Sequence, residues 1–221
     1  MTVTMKFIKK HAVKLGLFSL LFIGTASADA PFLDQYFQNL QTVAAQFSQA
    51  VKQGKKTEIS TGNLFLKRDT GFRFVYEKPF KQEIILNKAH DKLWQVDIDL
   101  QQVVIKKIDL NDQTNPVSFL LSQQPISELF DIKVDKDRVR YTLTSKAQKK
   151  QNSEDQIAGI EKLTVTFKNG ALHQFSAVND TGANVDITLI NPQFNQSIAL
   201  ANFIFNPTSY PNIDIIDETE K

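Results

Sequence analysis

The sequence predicts a mainly β fold of the α+β kind: one helix, then about 11–12 antiparallel strands curled into a barrel-like or sandwich form, with short helices in mid-chain. Three observations predict it. Apolar spacing changes from three-and-four to two near Gln46. Short alternating runs then succeed one another almost to the C-terminus, several separated by turn chemistry such as Asn169-Gly170, Asp180-Thr-Gly182 and Asp135-Lys-Asp137. So many successive strands cannot stay in one flat sheet and must curl.

The first segment is a leader. Lys6, Lys9, Lys10 and Lys14 stand in residues 1–14 without an acid. Leu15–Ile23 is apolar, and Gly24-Thr-Ala26-Ser-Ala28 closes it with a small-x-small site. This is the pattern of a secretory signal peptide, with cleavage expected after Ala28. An uncleaved anchor is the weaker reading. The apolar run is too short for a bilayer core of roughly 30 Å, which needs about 20 helical residues. Met5-Lys-Phe-Ile-Lys-Lys is the more usual opening, which makes Met5 an alternative start. The remainder, residues 29–221, is expected to form a single domain.

Phe32, Leu33, Tyr36, Phe37, Leu40, Val43 and Ala44 recur at helical spacing, with Pro31 near the first turn. Phe47, Gln49 and Val51 then alternate with polar neighbours as a first strand. Further strands are expected at Glu58–Lys67, Phe72–Glu77, Gln82–Asn87, Leu93–Ile98 and Gln102–Leu110. After a gap come Phe130–Val134, Val139–Ser145, Ile160–Lys168, Leu172–Asn179, Val185–Ile190 and Asn202–Phe205. In the gap, Asn115-Pro116 before Val117-Ser-Phe-Leu-Leu121 reads as an N-cap, a proline at the first helical position and one or two turns. Pro125-Ile-Ser-Glu-Leu129 could start a second short helix. Pieces this short need a sheet beneath them. Gln148–Gln156 is polar and is expected as an exposed loop.

Composition removes several function classes. The whole chain has 26 Lys+Arg and 24 Asp+Glu, but loss of the leader takes four lysines and leaves 193 residues with a net charge of −2. A basic nucleic-acid groove is not expected. With no cysteine there is no disulfide, thiol nucleophile or Cys-ligated metal. The core must supply the stability, and a chain of this size buries roughly 70% of its unfolded surface.

No phosphate-binding, dinucleotide-binding, nucleophile-elbow or zinc-protease motif occurs. No enzyme activity, cofactor or metal is expected. His173 and Ser176 share a strand run but sit at an odd spacing, so they are expected on opposite faces rather than as a dyad. Asp97 and Asp99 could suggest a paired-carboxylate or calcium site; without a fuller oxygen-ligand loop a turn is the simpler reading. Phe supplies 17 of the 22 aromatic residues. It brings bulk without a polar atom. Phe72, Phe74 and Tyr76 share one strand face, which fits an ordinary core or a greasy concave wall.

Several stretches together resemble the periplasmic outer-membrane lipoprotein carriers, the LolA family. They are Val43-Ala-Ala-Gln-Phe-Ser-Gln49, Thr61-Gly-Asn-Leu-Phe-Leu-Lys-Arg68, Phe72-Arg-Phe-Val-Tyr76 with Lys78-Pro79, and Leu93-Trp94 with Asp97-Ile-Asp-Leu-Gln-Gln-Val103. Asn115-Pro116 with Phe119-Leu-Leu121, Leu172-His-Gln-Phe-Ser-Ala-Val178 and Phe203-Ile-Phe-Asn-Pro207 complete the set. The resemblance spans nearly the whole mature chain. It implies an unclosed antiparallel β-barrel covered by the N-terminal helix and mid-chain lid helices over a hydrophobic cavity.

It also implies a function. The family accepts acylated lipoproteins from an inner-membrane ABC transporter and hands them to an outer-membrane receptor. This chain is accordingly expected in the periplasm, as a monomeric carrier that binds no nucleic acid. The receptor shares the fold but is itself lipid-anchored through a cysteine, which this chain lacks. The resemblance implies that Arg68 latches the lid through backbone carbonyls. The chain departs from the family pattern at Asp69, where proline is usual, and at Phe74, where tryptophan is usual; Asp69 could compete for the guanidinium. The acyl-chain lining is expected from Phe47, Phe72, Phe74 and Ile85 on the sheet and Val117, Leu120 and Leu121 on the lid. The alternatives are a periplasmic binder or sensor of other lipids or glycolipids on the same fold, an exported hydrolase, and a structural domain with a filled core.

Overall fold

The computed structural model describes residues 30–110, 120–146, 160–179 and 182–219. The expected leader, residues 111–119 with Asn115, Pro116 and Val117, and the polar stretch Gln148–Gln156 lie outside them. Helix α1 spans Ala30–Asn39 and buries Leu33 and Phe37. It is followed by β1, Thr42–Gln53, so Val43 and Ala44 belong to a strand and not to the helix. The reason is a distant residue. Asn195 accepts from the Gln41 N–H at 2.7 Å and donates to the Asn39 carbonyl at 3.1 Å, closing the helix where local spacing would continue it.

The remaining strands are β2 Lys56–Lys67, β3 Gly71–Lys78, β4 Gln82–Asn87, β5 Lys92–Asp97 and β6 Gln102–Lys107. Then come α2 Ile126–Leu129, β7 Phe130–Val134, β8 Arg140–Ser145, β9 Ile160–Lys168, β10 Ala171–Asn179 and β11 Asn184–Phe194. The expected strand at Asn202–Phe205 is instead a 3-10 turn, Leu200–Phe203, running into extended chain. A short strand, β12, Asp214–Asp217, closes the described chain.

All twelve strands form one curved, open sheet in the order β12-β6-β5-β4-β3-β2-β1-β11-β10-β9-β8-β7. β12 joins β6 in parallel, and every other pairing is antiparallel. Two glycines permit close strand approach. A Cβ at Gly62 would lie 1.9 Å from the Val75 carbonyl oxygen, and one at Gly71 would lie 2.0 Å from that of Leu86.

The sheet buries apolar residues on both faces at one end. On the inner face, Phe72 lies opposite Leu86, and Phe74 opposite Ile84, in the β3–β4 register. These residues join a large core with Phe47, Leu64 and Leu66 from the sheet and Leu33 and Phe37 from α1. On the outer face, Ile85, Trp94, Val96, Val103 and Ile105 form a second core. The C-terminal segment covers it as a strap. The Phe205 ring stacks between Trp94 and Tyr210, at centroid distances of 6.4 and 5.5 Å. Asn87 Nδ2 donates to the Phe203 carbonyl at 3.0 Å, and Arg73, Glu83 and the Tyr210 hydroxyl form a half-buried polar clasp.

Candidate functional site: an apolar cavity beside a buried arginine

The inner wall begins with strand alternation. Phe72, Phe74 and Tyr76 point inward from β3 because each is two residues from the next. Phe47 on β1 meets Phe74 and Tyr76 edge-on at 5.3 and 5.1 Å. The Tyr76 hydroxyl donates to Gln49 Oε1 at 3.0 Å, which satisfies the one polar atom of that wall. Burial pushes the Tyr76 pKa up from its ordinary value.

Between this wall and the opposite arm of the sheet lies a cavity of about 130 Å³. Val43, Leu64, Leu66, Phe72 and Phe74 line one side. Leu163, Phe175, Ala177, Val185 and Ile187, from β9, β10 and β11, line the other. Leu120, from the segment that precedes α2, lines it as well. No titratable side chain is among these residues. Such a space can take hydrocarbon by shape and exclusion of water, with no directional demand on the ligand.

Arg68 lies beside the cavity and links two of the segments around it. It follows β2 and has only 2% of its surface exposed. Its Nε donates to the Leu120 carbonyl at 3.3 Å and an Nη to Ser122. The other Nη donates to the carbonyls of Phe37 and, at 3.5 Å, Leu40. One guanidinium thus ties the end of α1 to residues 120–122. Carbonyls left over at helix ends need such donors, and the Arg fork supplies several from one planar group. Burial lowers the Arg68 pKa from its ordinary value.

Asp69 does not compete for Arg68. Its carboxylate accepts from Lys67 Nζ at 2.8 and 2.9 Å and from the Thr70 hydroxyl at 2.9 Å. The Lys67 hydrogen bond leads the interactions that hold its carboxyl below the usual range. Further clips hold the cover. Lys88 Nζ donates to the Leu121 carbonyl at 3.3 Å. Asp34 of α1 accepts from both the N–H and the hydroxyl of Ser127 in α2, at 2.9 and 2.6 Å. The Tyr36 hydroxyl accepts from the Leu172 N–H at 3.0 Å.

Of the residues expected to line the cavity, Phe72, Phe74 and Leu120 do so. Phe47 and Leu121 are buried in the surrounding core, and Val117 lies outside the described residues. Ile85 faces the other way. It pairs with Trp94 in the outer core, and its neighbours Ile84 and Leu86 hold the inward positions. The expectation is off by one residue because the strap makes both faces of β4 apolar. Sequence reasoning misses the lining from β9, β10 and β11, although the alternation Phe175, Ala177 on an expected strand is a usable signal. Asp97 and Asp99 lie at the β5–β6 turn, where they accept the N–H groups of Leu100 and Lys81 at 3.0 and 3.1 Å.

Residues 38–206 match the family model of the outer membrane lipoprotein carrier protein LolA. The chain belongs to this family. The LolA family consists of carriers, not enzymes. An outer-membrane lipoprotein carrier protein of Pseudomonas syringae pv. syringae is 29% identical over 85% of this chain and 88% of its own length. One from Francisella philomiragia is 30% identical over 83% of this chain and 85% of its own. Among solved structures, an uncharacterized conserved protein from Thermus thermophilus aligns with a TM-score of 0.47 and 9% identity, over 86% of this chain and 97% of that one.

Proposed function

We propose that this LolA-family chain carries acylated lipoproteins across the periplasm, receiving them from an inner-membrane ABC transporter and surrendering them to an outer-membrane receptor. The leader at residues 1–28 would direct its export. The observation that carries the reading is the apolar cavity roofed by a segment that Arg68 holds through backbone carbonyls.

The physical need is large. Three acyl chains of roughly 15 methylenes each expose about 45 CH₂ groups, and at roughly 0.8 kcal/mol each their passage through water costs tens of kcal/mol. The cavity is far too small for them as it stands. At about 130 Å³ it is comparable to an engineered cavity that holds one benzene. The cover must therefore move, and the sheet arms must part, as cargo enters. An aromatic and aliphatic wall suits this because apolar contact tolerates loose fit. With no nucleotide-binding motif in the chain, loading energy falls to the transporter, and the direction of transfer follows relative affinity.

The test is release from spheroplasts. Mature protein incubated with them should yield a soluble one-to-one complex with lipoprotein. Mass spectrometry of the bound material separates this from a glycolipid binder. Failure to release any lipoprotein with a matched transporter contradicts the carrier reading.

A further inference from the structure

Phe80 and Leu100 are the two most exposed large apolar side chains among the described residues, at 64% and 72%. They occupy neighbouring hairpin tips, Phe80 between β3 and β4 and Leu100 between β5 and β6. The two tips are joined. The Lys81 N–H donates to Asp99 at 3.1 Å, and the Ile98 N–H donates to the Lys81 carbonyl at 3.0 Å. The Leu100 N–H is in turn fixed by Asp97 at 3.0 Å. Two greasy side chains are thus presented by a braced double tip, where ordinary turn chemistry would place small polar residues.

Position and charge narrow what they meet. Antiparallel alternation puts the β1–β2, β3–β4 and β5–β6 turns at one end of the sheet. The cavity extends toward that end, since its lining residue Val185 pairs with Val51, two residues before β1 stops. Phe80 is bracketed by Lys78 and Lys81, and Lys55 stands on the β1–β2 tip. All three are exposed, and none has a carboxylate partner among the described residues. Nearby Lys52 and Lys56 are paired with Asp186 and Glu58. The acids near these tips turn toward other donors: Asp97 also accepts from Gln82, and Glu77 accepts from Asn63. Phe80 between its lysines, with the exposed Leu100 of the Asp97–Gln101 turn beside it, gives the apolar and basic groups that an interfacial membrane contact uses.

We infer that the joined β3–β4 and β5–β6 tips form an interfacial contact that dips Phe80 and Leu100 into an anionic phospholipid surface, with Lys55, Lys78 and Lys81 at the headgroups. It holds the cavity's end of the sheet against the bilayer that cargo leaves or enters. This purpose rests on the carrier reading, but the contact itself needs no cargo and is measured without it.

The experiment is flotation of the mature protein with phosphatidylethanolamine/phosphatidylglycerol vesicles and, separately, with neutral phosphatidylcholine vesicles. Reversible binding is expected on the anionic vesicles, weakened by salt. Phe80→Asp and Leu100→Asp should each lower the partition coefficient about tenfold, and together about a hundredfold, with an unchanged circular dichroism spectrum. Lys78→Gln with Lys81→Gln should weaken binding to the anionic vesicles alone. Absence of wild-type binding, or full binding by the double Asp variant, overturns the inference. So does a double variant that binds vesicles normally but no longer receives cargo from spheroplasts, because the tips would then dock a protein. Flotation that fails while spheroplast release succeeds removes this contact and leaves the carrier reading standing.

Discussion

The guanidinium of Arg68 donates to the backbone carbonyl of Ser122, 54 positions along the chain, while its other arm holds Phe37 in α1. The partners are carbonyls, and no carboxylate pairs with Arg68 among the described residues. That choice suits the latch proposed for Arg68. Breaking a buried ion pair strands a charge on each side. Releasing residues 120–122 strands no anion, and the freed carbonyls can take water. The α1 bonds can meanwhile keep Arg68 in place.

Arg68→Leu should therefore leave the sheet folded while loosening its cover. It removes a charge that is costly to bury but leaves carbonyls without donors, at about 1–3 kcal/mol for each that stays buried. A net loss of roughly 2 kcal/mol is expected in urea unfolding. Hydrogen exchange at residues 120–122 should rise, and cargo transfer should slow. Arg68→Lys, with one point charge in place of a fork, should fall between the two. Transfer at the normal rate by Arg68→Leu would remove the latch.

Filling the cavity should block it. Ala177 lines the space and carries little bulk. Ala177→Phe should cost about 1–3 kcal/mol through overpacking. Uptake of a hydrophobic dye should drop sharply, as should its displacement by fatty acid. Undiminished uptake would place the binding space elsewhere.

The strap has its own signature in alkali. Burial, followed by the hydrogen bond to Glu83, pushes the Tyr210 pKa up to about 12 from an ordinary 10. The folded state then holds the phenolic proton more tightly than the unfolded chain. The resulting stability is fully present below pH 10 and is lost as pH rises through about 12. Tyr36 and Tyr76 are also raised, so the informative quantity is a difference. The gap in melting temperature between wild type and Tyr210→Phe should narrow across that window. A constant gap would contradict the clasp.

Close strand approach at Gly62 predicts a backbone-limited position. Gly62→Ala must displace the Val75 carbonyl, which any Cβ would meet at 1.9 Å. A loss of roughly 3 kcal/mol is expected in chemical unfolding. Wild-type stability would mean that β2 and β3 can separate without cost.

The strands were legible because most bury only one face, and period-two alternation records that directly. Legibility failed where a distant segment changed the local rule. Leu40, Val43 and Ala44 keep helical spacing, yet Asn195 ends the helix at Asn39. Ile84, Ile85 and Leu86 carry no alternation because the strap covers the outer face of β4. The strap itself hides for the converse reason. Phe203, Phe205 and Tyr210 dock through turns, not through a regular period, and β12 is four residues long. Arg68 stood out only through family resemblance, since no local pattern announces which remote carbonyls an arginine will reach.

The most direct measurement of the central claim is spheroplast release by the mature protein, with lipid analysis of whatever it carries away. The carrier account predicts a soluble one-to-one complex with triacylated lipoprotein, with no such complex for Ala177→Phe. Free glycolipid in the cavity, or no lipoprotein released despite a matched transporter, would contradict it.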